Sequence, residues 1–244
     1  MTTLPPPGLT MAEELLLLGL DPARSRPRVQ RSYLRYGLAA ALLAELEAYG
    51  SVTEDRGRIT VLRPLPTGQP LLDEALNTLS AGSAVGSTAG SAGGSIGGSM
   101  GGSMGGSMGG SGKAKGRGER LGGWIRRHGA RAEQLAAAAL AARGTIRIEE
   151  QRALGLFPHQ RFHVTDQQTH GQALASLHNA VEQGFPDRRS RALAGLLLAT
   201  EVATRLDVPW RVRRELRPLV REQWFAEAVR KQIYSDKSAA GGGG

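Results

Sequence analysis

LRYGLAAALLAELEAYG, residues Leu34 to Gly50, is the stretch whose reading decides the fold. Leu34, Leu38, Leu42 and Leu46 recur at every fourth position, and Ala41 and Leu43 widen the stripe, leaving Glu45 and Glu47 outside it. That spacing is the apolar face of a helix that packs against other helices. Gly50 stands where a left-handed residue ends such a helix. The period then drops to two in SVTEDRGRITVLRP, where β-branched Ile59 and Val61 follow a turn at Asp55-Arg56-Gly57. A core helix running into a short hairpin is the expected nucleus of the fold.

On the N-terminal side, Thr10 and Glu13 have the spacing of a capping box and open the helix MAEELLLLGL, whose four consecutive leucines predict burial on most sides. RSRPRVQR (24–31) is a polar connection carrying four arginines. On the C-terminal side, Pro70 suits a first helical turn, and Leu71, Leu72, Ala75, Leu76 and Leu79 form another stripe. A Gly/Ser-rich tract then includes the tetrapeptide repeat GSMG, and its paired glycines rule out a stable helix through Met100, Met104 and Met108. Beyond it the order of elements repeats: a helix expected from about Ala130 to Arg143, Gly144, β-like TIRIEE, the apolar turn segment ALGLFPHQ, RFHVTD and the helix QTHGQALASLHNAVEQG. A third helical region follows from Arg188, and Pro218 predicts a break in the closing stretch. The expected organisation is a disordered lead at 1–8, one mainly α domain with two short β-hairpins at 9–235, a disordered Gly/Ser-rich loop at 81–118 within it, and a disordered tail at 236–244.

Composition narrows the function. The chain of 244 residues has no cysteine, which removes disulfides and thiolate metal sites. Its longest apolar runs, Leu15–Leu18 and Leu193–Ala199, fall far short of the ~20 residues that span a bilayer, and MTTLPPPG has no signal-peptide pattern. The formal charge of +9 is uneven: residues 1–80 carry net −1 and residues 113–244 net +10. A basic second half points to an anionic partner, nucleic acid or membrane, although arginine enrichment also follows from a GC-rich genome. His159 and His163 lie about 13 Å apart along an extended strand, too far to share a metal. GSGKA (110–114) lacks the Ser/Thr and first Gly of a phosphate loop, and no nucleophile–base pair is in evidence. The reading is a non-enzyme without cofactor or metal.

LTMAEELLLLGL (9–20), YGLAAALLAEL (36–46), PTGQPLLDEAL (66–76), GLFPHQRFHV (155–164) and WFAEAVRKQI (224–233) together resemble the Golgi phosphoprotein 3 family, in a bacterial form with a GPP34-type domain. The resemblance implies a mostly helical domain with a protruding apolar hairpin and peripheral binding of phosphatidylinositol 4-phosphate. The family's headgroup Trp and Arg positions match Gln30 and Ala39, and its second arginine pair falls near Ala130 and Glu133. Candidate headgroup residues are instead the nearby Arg28, Arg31, Arg35, Arg126, Arg127 and Arg131. Leu154, Leu156 and Phe157, beside Arg152, form an apolar hairpin tip, either a membrane wedge or part of the core; Arg147 and Arg161 add charge nearby. The expected protein is cytoplasmic and peripheral on an anionic phospholipid membrane, with the hairpin as a possible homo-oligomer contact. Two alternatives are a winged-helix DNA-binding unit, with Arg24 and Arg26 among its phosphate contacts, and a protein-interaction scaffold. Against DNA stand Glu45 and Glu47, expected on the exposed side of the second helix.

Overall fold

A computed structural model describes residues 8–85, 118–153, 157–206 and 208–241 of the chain. It is mainly α-helical, with three small antiparallel sheets. Helix α1 (Met11–Gly19) starts in the expected capping box: the Thr10 amide donates to Glu13 Oε2 at 2.7 Å and the Glu13 amide to Thr10 Oγ1 at 3.2 Å. Leu15 to Leu18 are all fully buried. A two-residue ribbon, β1 (Leu20–Asp21) with β2 (Arg26–Pro27), leads into α2 (Arg31–Ala48).

Helix α2 is the axis of the molecule. Its burial extends beyond one stripe to Tyr33, Tyr36 and the run Gly37–Ala44, because α1, α4, α6 and α9 surround it. Close approach is built in at Gly37, where a Cβ would lie 2.4 Å from the Thr200 methyl. Glu45 and Glu47 do not face solvent as the sequence suggested; both are half-buried against neighbouring elements. Glu47 receives the Trp224 indole N–H at 2.7 Å and pairs with Arg188 at 3.1 Å.

The repeated architecture is present in detail. Gly50 (φ 68°) ends α2 and Gly144 (φ 74°) ends α4, each in the left-handed region that a Cβ disfavours. The next amides, Ser51 and Thr145, reach back five residues to Leu46 and Leu140 carbonyls, both at 2.9 Å. In the first unit β3 (Val52–Asp55) and β4 (Arg58–Val61) pair through a turn with positive φ at Arg56 and Gly57, the type I′ geometry that matches strand twist. The chain then returns to donate from Leu62 and Arg63 to the Ser51 carbonyl. In the second, β6 (Ile146–Ala153) pairs with β7 (Phe157–Val164), and Thr165 and Asp166 donate to the Thr145 carbonyl in the same manner. Helices α3 (Pro70–Val85) and α5 (Gln167–Glu182) close the two units.

Several boundaries differ from expectation. Helix α3 continues through 81–85, inside the segment assigned to the loop, and β5 (Glu119–Arg120) adds to β4 immediately after Gly118. Helix α4 (Leu121–Ala142) begins nine residues before Ala130: Gly122 and Gly123 are poor helix formers, but burial of Leu121, Trp124 and Ile125 outweighs their propensity. Helix α6 (Arg188–Ala199) ends at Thr200 because Glu201 adopts φ 67°, and a 3-10 turn (Val202–Arg205) follows. Pro218 does break the next region, into α7 (Trp210–Glu215) and α8 (Arg217–Glu222). Helix α9 (Trp224–Gly241) includes 236–241, assigned to the tail, and is tied down by Asp236, which accepts the Tyr36 hydroxyl at 2.9 Å, and by Lys237, which binds Glu201. The remainder of the lead, the tract and the tail lies outside the described residues.

Candidate functional site

The six candidate headgroup arginines form two groups rather than one patch. Arg31 and Arg35, one turn apart on α2, converge on Glu133 of α4: Arg31 Nε lies 2.7 Å from Oε1 and Arg35 Nε 2.8 Å from Oε2. Gly129, one turn earlier on α4, makes this possible, since a Cβ there would sit 3.0 Å from the Arg35 carbonyl oxygen. Glu133 is 1% exposed, so its charge is held entirely by these two guanidinium groups. Arg31 also lies over the Phe162 ring at 5.3 Å and donates to the Gln160 carbonyl at 3.4 Å, which locks α2 and α4 to the base of the β6–β7 hairpin. Arg28 donates to the Leu20 carbonyl at 2.9 Å.

The second group runs along the outer face of α4, and every member has a carboxylate. Arg126 pairs with Asp236 at 3.1 Å, Arg131 with Glu74 at 3.1 Å, and Arg127 with Glu119. Burial and the Asp236 carboxylate raise the Tyr36 phenol above its ordinary value, so this hydroxyl stays a proton donor to Asp236. Of the four positions matched to the family's headgroup residues, Gln30 and Ala130 are exposed, Ala39 is fully buried, and Glu133 is the buried acid just described. No cation stands at any of them.

The hairpin alternates by strand period. Ile146, Phe162 and Val164 face the core with Ile148 packed against it, while Arg147, Glu149, Arg161 and His163 share the other face. His163 is fixed on both sides: Nε2 lies 2.7 Å from Glu149 Oε2 and Nδ1 2.8 Å from Ser25 Oγ, joining the β1–β2 turn to the hairpin. Arg26, Arg147 and Arg161 around this base are exposed and have no carboxylate partner among the described residues. Arg152 and Phe157 are placed by backbone register opposite Pro158 and Ala153. Leu154 and Leu156, the rest of the expected tip, lie outside the described residues. Among the described residues no three His, Asp or Glu side chains gather as a metal set, and no helix is long and apolar enough to cross a membrane.

A helical domain made of two helix–hairpin–helix units, with an arginine-ringed hairpin, is thus the class of protein defined by this fold and site. The family model for Golgi phosphoprotein 3 (GPP34) matches residues 11–235, nearly the whole chain, and the chain belongs to that family. No curated protein matches it.

Proposed function

We propose that this protein is a non-catalytic, peripheral binder of anionic phospholipid surfaces that docks through the base and tip of the β6–β7 hairpin. The observation that carries the reading is the contrast between the two sets of arginines. Those on α4 and the α2 clamp are already neutralised by protein carboxylates, whereas Arg26, Arg147 and Arg161 around the hairpin meet no carboxylate among the described residues. Family membership supports a lipid-binding role. Phosphatidylinositol 4-phosphate is the family's ligand by resemblance, but with Gln30, Ala39, Ala130 and Glu133 at the matched places, a general preference for anionic lipid fits this chain better. A winged-helix reading gains no support from α2, whose middle is wrapped by other helices and leaves no face for a DNA groove.

Liposome co-sedimentation tests the reading. Each cation near an anionic surface contributes about 1 kcal/mol, so Arg26, Arg147 and Arg161 together replaced by Gln should weaken binding on the order of 100-fold. Replacing Arg126, Arg127 and Arg131 by Gln should weaken it much less. Changing Leu154, Leu156 and Phe157 to Ser should reduce binding without lowering Tm. Equal losses from both arginine triples would show that charge acts diffusely, and the hairpin reading would fall.

A further inference from the structure

A groove of about 660 Å³ lies where α2 and α6 meet the α8–α9 corner, and none of the residues assigned to lipid binding lines it. The volume is that of a small-molecule site. Its lining is mixed, with Met11, Ala44, Ala48 and Phe225 forming an apolar part of the wall beside charged side chains. Glu45 stands among these walls with Oε2 buried and without any hydrogen-bond partner. The charged groups around it do not answer that need. Glu13 and Glu14 on α1 repel it, and the Met11 amide gives the carboxylate one donor. Arg189 on α6, the nearby cation, attracts it from a distance but points its terminal nitrogens at Glu14 Oε2, at 2.6 Å, and at the Leu9 carbonyl, at 2.8 Å. Glu47, next on the helix, is satisfied by Trp224 and Arg188, and Glu222 on α8 stands 3.9 Å from Arg191.

A half-buried carboxylate this short of donors calls for an N–H group carrying positive charge. At the rim, Arg188 is 71% and Arg191 51% exposed, with Glu47 3.1 Å from the first and Glu222 3.9 Å from the second. A guanidinium has five N–H donors, so both retain capacity for a second anion. We propose that this groove binds an aminoalkyl phosphate: the primary ammonium pairs with the Glu45 carboxylate where it lines the groove, the short alkyl chain lies along the apolar part of the wall, and the phosphate meets Arg188 and Arg191. A trimethylated ammonium has no N–H and leaves Glu45 unsatisfied, so the site discriminates against it. The same chemistry is offered by a free metabolite and by the headgroup of an aminophospholipid. The proposal does not rest on the hairpin reading.

Calorimetric titration of the full chain with phosphoethanolamine, phosphocholine, ethanolamine and inorganic phosphate tests it. Phosphoethanolamine should bind saturably at one site, with phosphocholine at least about tenfold weaker. Glu45→Gln, checked by thermal melting to be folded, and the surface pair Arg188→Gln/Arg191→Gln should each lose at least about tenfold. Vesicles of phosphatidylethanolamine against phosphatidylcholine identify the source: selective, Glu45-dependent vesicle binding assigns the headgroup, and binding of the free compound alone assigns the metabolite. Equal affinity for phosphocholine or for phosphate alone, retention of affinity in Glu45→Gln, or no binding of the free compound at millimolar concentration together with no vesicle selectivity would each overturn the proposal.

Discussion

At the scale of single residues, Glu45 has a consequence for stability that does not depend on any ligand. Burial, with help from Glu13 and Glu14, pushes its carboxyl from the ordinary 4.5 up to about 6, against the Met11 amide and Arg189. The folded state therefore holds this proton more tightly than the unfolded chain does. The stability so gained is complete below the unfolded value and is lost as pH rises through about 6. The difference is worth roughly 2 kcal/mol. Glu45→Gln cannot ionise and escapes that loss. In urea denaturation it should be more stable than the parent by up to about 2 kcal/mol near pH 8, with the advantage shrinking toward pH 4. A variant that is less stable near pH 8 would show that the ionised carboxylate is well satisfied. Glu133 is the opposite case. It is equally an acid on a core helix, but two guanidinium groups meet it, and removing it would strand both.

Helix contacts explain which parts of the fold were legible. The period-four leucines identify α2 as a core helix, and the capping box and C-terminal glycines mark its neighbours' ends. The side on which each helix is covered is a matter of close approach, and sequence periodicity does not encode it. Gly37 is the clearest instance. Helix propensity alone favours Gly37→Ala by up to about 1 kcal/mol. The added methyl would, however, fall 2.4 Å from Thr200 Cγ2 and 3.1 Å from Leu15 Cδ2, in a fully buried contact. Overpacking of that kind costs about 1–3 kcal/mol, so the melting temperature should drop. Thr200→Ser removes the opposing methyl while keeping the hydroxyl, and the double variant should recover much of the loss. Failure of Thr200→Ser to rescue Gly37→Ala would place the clash elsewhere. The arginine clamp was hidden for a related reason: Arg31 and Glu133 are 102 residues apart, and nothing local marks them as partners. The extension of α9 has no local signature because SDKSAAG is polar, while its anchors Tyr36 and Glu201 lie far away in the chain.

Across the whole molecule, the two helix–hairpin–helix units meet chiefly through α2 and α4, and the Gly/Ser-rich tract connects one unit to the other. Both of its attachment points are held by the fold: α3 packs against β4, and β5 is hydrogen-bonded to β4. Loop-closure entropy varies only with the logarithm of length. Replacing residues 86–117 by a Gly/Ser linker of about twelve residues should therefore change stability by less than about 1 kcal/mol. For a domain of this size that is a shift in Tm of only about 2–4 °C. A fall of ten degrees or so would reveal contacts made by the tract. The residues on the two sides of the tract share one core, with α2 set among α1, α4, α6 and α9 and β5 paired to β4, so the tract contributes little beyond keeping the two parts at high local concentration. Cutting the tether would turn the folding of this single core into a bimolecular association of two complementary fragments, neither of which holds the whole core.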